Sequence, residues 1–253
     1  MSNLDRNYTT ARRAGADRAV VIDEGLRAYM IRVYNYMAMG VALTGLVAWL
    51  TYSAAAVTDA SGTLIGLTSF GRTIYSGPAT LVLFLGTLGL VFMISWRVNR
   101  LQPSTALTLF LIYAGLLGLM LSSIFLVYTH SSVTRVFFIS AASFGALSLY
   151  GYTTQRDLSP IGSFLIMGLF GLVIAMLVNM FLHSQGMEFV ISVVGVLIFA
   201  GLTAWDTQRI KEMYDPMEDG TIVGRKAVMG ALSLYLDFIN LFLFLLRFLG
   251  DRR

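Results

Sequence analysis

The chain has 253 residues, of which 57% are hydrophobic and only 13% are charged, whereas a soluble domain usually carries roughly a quarter charged residues. Cysteine is absent, which excludes disulfides, thiolate metal sites and cysteine nucleophiles. The formal charge of +4 does not indicate nucleic-acid binding. The basic residues stand in short clusters between apolar segments, as in the loops of membrane proteins, rather than in one continuous basic stripe.

The N-terminal segment is polar and precedes the first apolar segment. Residues 1–28 hold five arginines among four acidic residues. No short apolar core with a small-residue cleavage site follows, as a secretory signal would require. We therefore predict a polar cytoplasmic tail over residues 1–28 and a transmembrane domain over residues 29–250.

Seven apolar segments follow, separated by polar turns and loops. In chain order they span residues 36–52, 77–96, 105–128, 136–152, 161–182, 189–205 and 227–249. Their lengths are typical of helices that span a bilayer. They do not alternate as barrel strands do, and only helices and closed barrels satisfy the backbone in hydrocarbon. The sequence therefore predicts an all-α polytopic membrane protein, a bundle of seven transmembrane helices.

The basic residues predict the orientation of the bundle. With the N-terminus in the cytoplasm, thirteen of the eighteen Lys and Arg residues fall on the cytoplasmic side, as the positive-inside rule expects. Three of the other five, Arg247, Arg252 and Arg253, lie at the C-terminus. Either the seventh helix emerges outside despite these charges, or it is re-entrant and the C-terminus returns to the cytoplasm.

Two carboxylates fall within the apolar pattern. Asp206 ends the sixth segment and Asp237 lies inside the seventh. A charge at mid-bilayer costs at least about 2.5 kcal/mol on insertion scales, so each acid is expected to have a partner or a function. These two helices are consecutive and antiparallel, so the carboxyl groups can meet in the cytoplasmic half.

Adjacent carboxylates resist simultaneous ionisation and titrate as a unit, which would make Asp206 and Asp237 a proton sensor. Their ionised oxygens would suit transient binding of Ca²⁺. The alternative is structural: Asp237 bonds a Ser or Tyr on a neighbouring helix, and Asp206 pairs with Arg209.

A polar stripe accompanies Asp237 on the seventh helix. Four residues at i, i+4, i+7 and i+14 share one helical face: Ser233, Asp237, Asn240 and Arg247. This face should turn toward the bundle interior. Ser233 and Asn240, with Thr203 beside Asp206, are candidates to line a pore. Arg97, at the cytoplasmic end of the second helix, is the candidate to hold the acid pair closed.

The residue inventory disfavours an enzyme. The only histidines, His130 and His183, lie far apart in predicted outside turns, and no HExxH motif is present. The only lysines, Lys211 and Lys226, lie in the polar segment before the seventh helix, which excludes a Schiff base within that helix. No Walker-type glycine loop is present. We predict no catalytic residue and no resident cofactor.

Two sequence segments resemble a known family. The segment 204–210, AWDTQRI, resembles the A-Y-D-T-Q-x-I signature of the Bax inhibitor-1 family, also called the transmembrane BAX inhibitor motif family. The segment 234–242, LYLDFINLF, resembles the last-helix signature of the same family. The resemblance covers about residues 28–250, with Trp205 in place of the usual Tyr, and the chain is similar to bacterial members.

The resemblance implies a seventh helix surrounded by the other six and a pH-sensitive calcium leak channel. The motif aspartates, here Asp206 and Asp237, would form the proton sensor, and a second-helix arginine, matched by Arg97, would hold the pair closed. Some bacterial relatives bind a membrane-anchored ATP-dependent protease, and eukaryotic relatives suppress cell death. The basic C-terminal tail of the eukaryotic members is reduced here to residues 251–253.

Two functions are therefore expected. The first is a proton-gated Ca²⁺ leak through the bacterial inner membrane, connected with the stress response. The alternative is a non-transporting regulator that binds a membrane-anchored ATP-dependent protease or stress complex through the N-terminal tail. The expected partners are the lipid bilayer, Ca²⁺ and protons, without nucleic acid.

Overall fold

The computed structural model of the chain describes residues 3–59, 64–97 and 100–253, and their side chains from residue 24 onward. The described elements are, in chain order, α1 Asn3–Ala55, β1 Ala56–Thr58, β2 Leu64–Leu67, α2 Ser69–Ile74, α3 Gly77–Arg97, α4 Pro103–Leu121, α5 Ile124–Val127, α6 His130–Thr153, α7 Ser159–Leu182, α8 Gln185–Glu212 and α9 Gly220–Leu249. The tail predicted over residues 1–28 thus continues into the first helix. The side chains of its first 23 residues lie outside the described part.

Seven helical segments are long and apolar enough to cross a membrane within the described ranges. They are Glu24–Ala55, Gly77–Arg97, Pro103–Val127, His130–Thr153, Ser159–Leu182, Gln185–Glu212 and Gly220–Leu249. The predicted all-α seven-helix membrane protein is confirmed.

The last helix is central, as the resemblance implied. It is far more buried than the other six spans, and it packs directly against α1, α4, α6 and α8. Helix α3 packs mainly on α4, and α7 packs on α8. The enclosure of α9 therefore comes from four helices, and α3 and α7 form an outer layer.

The polar loop between the first two predicted segments contains secondary structure. Strands β1 and β2 pair antiparallel, with Ala56 opposite Leu67, and α2 follows. The hydroxyl of Thr68 caps α2 by accepting a hydrogen bond from the Gly71 amide at 3.0 Å. The sequence pattern does not predict this short hairpin, because its strands have only three and four residues.

Helix α8 runs seven residues past the predicted end of the sixth segment. The helix continues through its polar residues because these residues form hydrogen bonds inside the bundle. Gln208 accepts a hydrogen bond from the Leu158 amide and donates one to the Arg156 carbonyl, both at 2.8 Å. This side chain fixes the turn between α6 and α7 to α8.

Helix α9 begins and ends with local anchors. Asp219 caps its N-terminus by accepting from the Thr221 amide at 3.0 Å. The hydrogen bonds from Thr221 hold the pKa of the Asp219 carboxyl below its usual value, because they favour the ionised form. After Leu249 the chain turns onto the ends of the neighbouring helices.

The start of the first membrane-spanning segment and the C-terminus lie at opposite ends of the bundle. Near the start of the first membrane-spanning segment, the ring of Tyr29 lies 5.5 Å from that of Tyr214, just after α8. At the other end, Arg252 binds Glu188 at 2.7 Å and Arg253 contacts His130 at 2.9 Å. Helix α9 therefore crosses completely, and the re-entrant alternative is excluded. The Glu188 carboxylate compensates part of the C-terminal positive charge.

Candidate functional site

Helices α8 and α9 form an antiparallel pair whose register brings the two motif acids together. Lys226 donates to the Met213 carbonyl at 2.8 Å, and the rings of Phe199 and Phe244 stack at 5.7 Å. Between these two contacts, Asp206 on α8 lies beside Asp237 on α9. The extension of α8 to Glu212 removes the mismatch in depth that a shorter helix would have produced.

Asp206 and Asp237 form a buried carboxyl pair. Their carboxyl groups lie close enough to interact directly, and the two residues are only 9% and 5% exposed. Asp206 Oδ1 and Asp237 Oδ2 are buried and accept no hydrogen bond from the described part of the chain. Two carboxyl groups can bond to each other only when at least one carries a proton, so this arrangement suits an acid pair that shares one.

Arg209 is the cation at the pair. Its Nη1 lies 3.6 Å from Asp206 Oδ1, which is ion-pair range but longer than a direct hydrogen bond. Its guanidinium also lies 5.0 Å from the centre of the Trp205 ring. Asp206 therefore has both partners that the sequence offered as alternatives, Arg209 and Asp237.

The structure does not bring Arg97 to the acid pair. This side chain is exposed at the end of α3, and it makes no polar contact with the described residues. The physical reason is that α3 packs on α4 rather than on α8 or α9. The i, i+3 spacing of Asp206 and Arg209 is the sequence signal that points to the cation actually present.

The acid pair faces a cavity of about 580 Å³ between α7, α8 and α9, which we name the long cavity. The whole polar stripe of α9 lines it: Ser233, Asp237, Asn240 and Arg247. Fourteen residues of helix span about 21 Å, so the stripe follows most of the hydrocarbon thickness. The α7 wall is apolar and includes Leu169, Val173 and Met176.

Thr203 does not line the long cavity. Its side chain is fully buried and donates to the Phe199 carbonyl at 2.7 Å. Thr207, on the same face of α8, contacts Ser148 at 2.9 Å, and Ser148 contacts the Tyr34 hydroxyl at 2.6 Å. This face of α8 therefore joins α6 and α1, whereas the neighbouring Asp206 lines the long cavity.

A second cavity, of about 400 Å³, lies at the adjoining ends of α8 and α9, and we name it the basic cavity. Three cations line it: Arg209, Arg225 and Lys226. Arg209 and Ser233 line both cavities. The Arg209 side chain therefore lies where the two cavities adjoin.

The site offers oxygen ligands without a complete metal cage. Within the described residues, no group of three or more His, Asp or Glu side chains could hold a metal ion. Asn240 donates its amide to the Leu236 carbonyl at 2.8 Å, which leaves the amide oxygen as an acceptor near the two carboxyls. Hard oxygen ligands of this kind suit Ca²⁺, and completion of its shell of six to eight ligands would require water.

Comparison with known proteins assigns the family. The family model described as Inhibitor of apoptosis-promoting Bax1 matches residues 26–253. The chain belongs to this Bax inhibitor-1 family. It is 47% identical to uncharacterized protein RP147 of Rickettsia prowazekii over 91% of this chain and 92% of the relative. It is 42% identical to inner membrane protein YbhL of Escherichia coli K12, over 94% of this chain and 97% of the relative.

The Bax inhibitor-1 assignment agrees with the membrane architecture. A further relative, from Streptococcus pyogenes, is named an uncharacterized membrane protein and is 40% identical over 90% of this chain. In this family member, the segment 204–210 supplies Asp206 and Arg209, and the segment 234–242 supplies Asp237 and Asn240. The two segments that carried the resemblance thus meet at the long cavity.

Proposed function

We propose that this Bax inhibitor-1 protein is a pH-sensitive Ca²⁺ leak channel in which Asp206 and Asp237 sense protons. The observation that carries the proposal is that the two acids are buried against each other on a cavity that follows the polar stripe of α9. A structural role alone does not require the pair to line a cavity with polar residues above and below it.

The number of protons bound to the acid pair determines the repulsion between the two acids and their attraction to Arg209. Two unit charges about 4 Å apart repel by about 4 kcal/mol at an effective dielectric constant of 20. A single shared proton replaces that repulsion with a hydrogen bond between Asp206 and Asp237. A second proton removes the remaining charge and with it the attraction that holds Arg209.

Arg209 links the protonation of the acid pair to the proposed passage of a cation between the two cavities. While Asp206 is charged, the guanidinium is held beside it at the junction of the two cavities, where its positive charge opposes a passing cation. Protonation of both acids releases Arg209 and opens the junction toward the basic cavity. Ca²⁺ flux is therefore expected to rise as the pH falls.

Flux measurements on the purified protein in liposomes test this proposal. Ca²⁺ entry is followed between about pH 6 and pH 8, the range in which a perturbed acid pair can titrate, for the wild type and for Asp237→Asn. The wild-type flux should depend on pH, and the variant flux should not. Asp157→Asn, which removes an exposed carboxyl in the α6–α7 turn, is the matched control and should behave as wild type. Identical, pH-independent flux in all three proteins would refute the proposal.

The alternative role as a regulator of a membrane-anchored protease stays a prediction. Its proposed handle is the N-terminal tail, and the side chains of the first 23 tail residues lie outside the described part. Deletion of residues 1–27 should abolish copurification of such a partner if the tail binds it, and should leave the Ca²⁺ flux unchanged.

A further inference from the structure

A third cavity, of about 520 Å³, lies at the end of the bundle that holds the C-terminus, and we name it the apolar cavity. Its floor is the α9 surface formed by Phe238, Ile239 and Phe242, and its walls come mainly from α1 and α6. These two helices both pack against α9 but only marginally against each other. Trp49 and Phe138, one on each wall, are exposed. The cavity is therefore a groove that opens sideways toward the hydrocarbon of the membrane.

The hydroxyl groups in the lining of the apolar cavity are bonded to the protein itself. The Thr44 hydroxyl donates to the Ala114 carbonyl at 2.9 Å and contacts the Tyr235 hydroxyl at 2.6 Å. The Thr134 hydroxyl donates to the His130 carbonyl at 2.9 Å. The rest of the lining is mostly aliphatic and aromatic. The interior therefore favours a ligand with an apolar body.

His130, exposed at the mouth of the apolar cavity, offers a hydrogen-bond donor. Its Nδ1 lies 2.9 Å from Nη2 of Arg253. An arginine can only donate, so Nδ1 accepts, and the neutral ring carries its proton on Nε2. No described residue accepts a hydrogen bond from this Nε2–H. The ring contacts those of Phe125 and Tyr52, with centres 5.5 and 5.1 Å away, so the position of the donor is fixed.

The depth of the apolar cavity is that of one leaflet. Its α1 wall runs from Val41 to Trp49, about 12 Å along the helix axis, whereas the hydrocarbon core of a bilayer is about 30 Å thick. Trp49 and Tyr52 lie near the mouth, and Trp and Tyr are enriched at the interface between membrane and water. The carbonyls of ester-linked lipids lie at this same level, at the head of their acyl chains.

We propose that the apolar cavity binds one acyl chain of an ester-linked phospholipid from the leaflet at this end of the bundle. The chain lies on the α9 floor between α1 and α6, and its ester carbonyl accepts a hydrogen bond from His130 Nε2. The headgroup stays at the membrane surface, and its charge is not recognised. An apolar ligand without an acceptor would leave the His130 donor without a partner. The site does not depend on whether the protein conducts Ca²⁺.

Native mass spectrometry of the full-length protein tests the proposal. The detergent-solubilised protein is equilibrated at about pH 8, where a histidine is neutral, with ester-linked phosphatidylcholine or its ether-linked analogue. The two lipids share headgroup and chains, but the analogue has no ester carbonyl. The wild type should retain the ester-linked lipid about threefold better, the effect of one neutral hydrogen bond. His130→Phe keeps a ring beside Phe125 and should retain both lipids equally.

Two glycine variants test whether lipid occupies the cavity itself. Gly45 lies on the α1 wall, and a Cβ there would meet nothing within 4 Å. Gly45→Phe should therefore fold, fill part of the cavity and reduce the retention of both lipids. Gly86→Phe is the matched control, because Gly86 is exposed on α3 and a Cβ there also meets nothing within 4 Å. It should retain lipid as the wild type does.

Three outcomes would overturn the proposal. Equal retention of the two lipids by the wild type would show that His130 binds no ester carbonyl. Unchanged retention in Gly45→Phe would show that the lipid binds elsewhere on the protein. A dimer without bound lipid would show that a second copy of the chain covers the groove. The comparison of wild type with His130→Phe keeps the test decisive if Gly45→Phe does not fold.

Discussion

At the scale of single residues, the central feature is a pair of buried carboxyl groups whose oxygens lack some of their hydrogen-bond partners. Asp206 and Asp237 each bury an oxygen without a hydrogen-bond donor among the described residues. Buried polar groups usually have partners, and the exceptions are often functional. A shared proton supplies a donor between the two acids, and the remaining oxygens stay available to a cation from the long cavity.

Arg209→Gln is expected to increase Ca²⁺ flux at neutral pH. The substitution removes a positive charge from the junction of the two cavities, and a barrier lowered by about 1.4 kcal/mol gives about a tenfold increase in rate. The flux should also depend less on pH, because release of the guanidinium is no longer required. Liposome flux assays at several pH values measure both effects.

Lys211→Gln is the matched control for Arg209→Gln. Lys211 lies two residues later on α8, but its ammonium binds the Tyr152 carbonyl at 2.9 Å and lines neither cavity. Its removal should leave the flux as in wild type. Equal flux in Arg209→Gln and wild type at every pH would show that Arg209 does not control the junction.

At the scale of elements, close approach between helices holds α8 in position. A Cβ on Gly151 of α6 would overlap the Ala204 carbonyl on α8. Small residues at such crossings let transmembrane helices pack by backbone contact. Ala204 lies two residues before Asp206, so this contact sets the height and rotation of the acid on α8.

Gly151→Leu should destabilise the protein by about 1–3 kcal/mol, the cost of overpacking a tight contact. Thermal unfolding in detergent measures the loss. Gly145→Leu is the matched control, because Gly145 lies on the same helix and a Cβ there meets nothing within 4 Å. Equal unfolding temperatures for the two variants would mean that the crossing of α6 and α8 does not depend on Gly151.

The sequence predicted the elements better than their ends. Hydropathy placed all seven spans, because a bilayer imposes the length and composition of each helix. It ended the sixth span at Trp205, although Gln208 and its neighbours continue α8 by bonding to the α6–α7 turn. Such long-range partners are not visible in a local pattern.

The helical period predicts the part of the candidate site that lies on one helix, but not the part that depends on packing between helices. The 3.6-residue period placed Ser233, Asp237 and Asn240 on one face of α9, and the structure puts all three on the long cavity. The choice of Arg97 depended on which helix packs beside α8, and neither periodicity nor charge reveals packing order. Thr203 was placed on the face of Asp206, but its hydroxyl turns back to its own helix.

At the scale of the whole molecule, the bundle separates a basic end from the end that holds the C-terminus. The first contains the basic cavity. The second contains exposed ion pairs between the C-terminal residues and the helix ends, such as Arg135–Asp251 at 3.0 Å. Exposed pairs of this kind contribute little individually, and here they hold the last residues of the chain against the bundle.

The orientation in the membrane is open to a direct test, because the chain contains no cysteine. Single-cysteine variants Asp157→Cys and Gly186→Cys place labels at exposed positions near the two ends of the bundle, in the α6–α7 turn and at the start of α8. With the N-terminus cytoplasmic, as the basic residues predict, a membrane-impermeant maleimide should label Gly186→Cys in intact spheroplasts. It should label Asp157→Cys only after permeabilisation. The reverse pattern would invert the predicted topology.

The account as a whole depends on one proton shared by Asp206 and Asp237, and infrared difference spectroscopy across a pH titration detects it directly. We predict one titrating carboxylic-acid carbonyl band in the wild type, shifted or lost in both Asp206→Asn and Asp237→Asn, because each acid requires the other. The contrary result is an unshifted band from the remaining aspartate in each variant, with a wild-type spectrum equal to the sum of the two variant bands. The two acids would then titrate independently, which would contradict a shared proton.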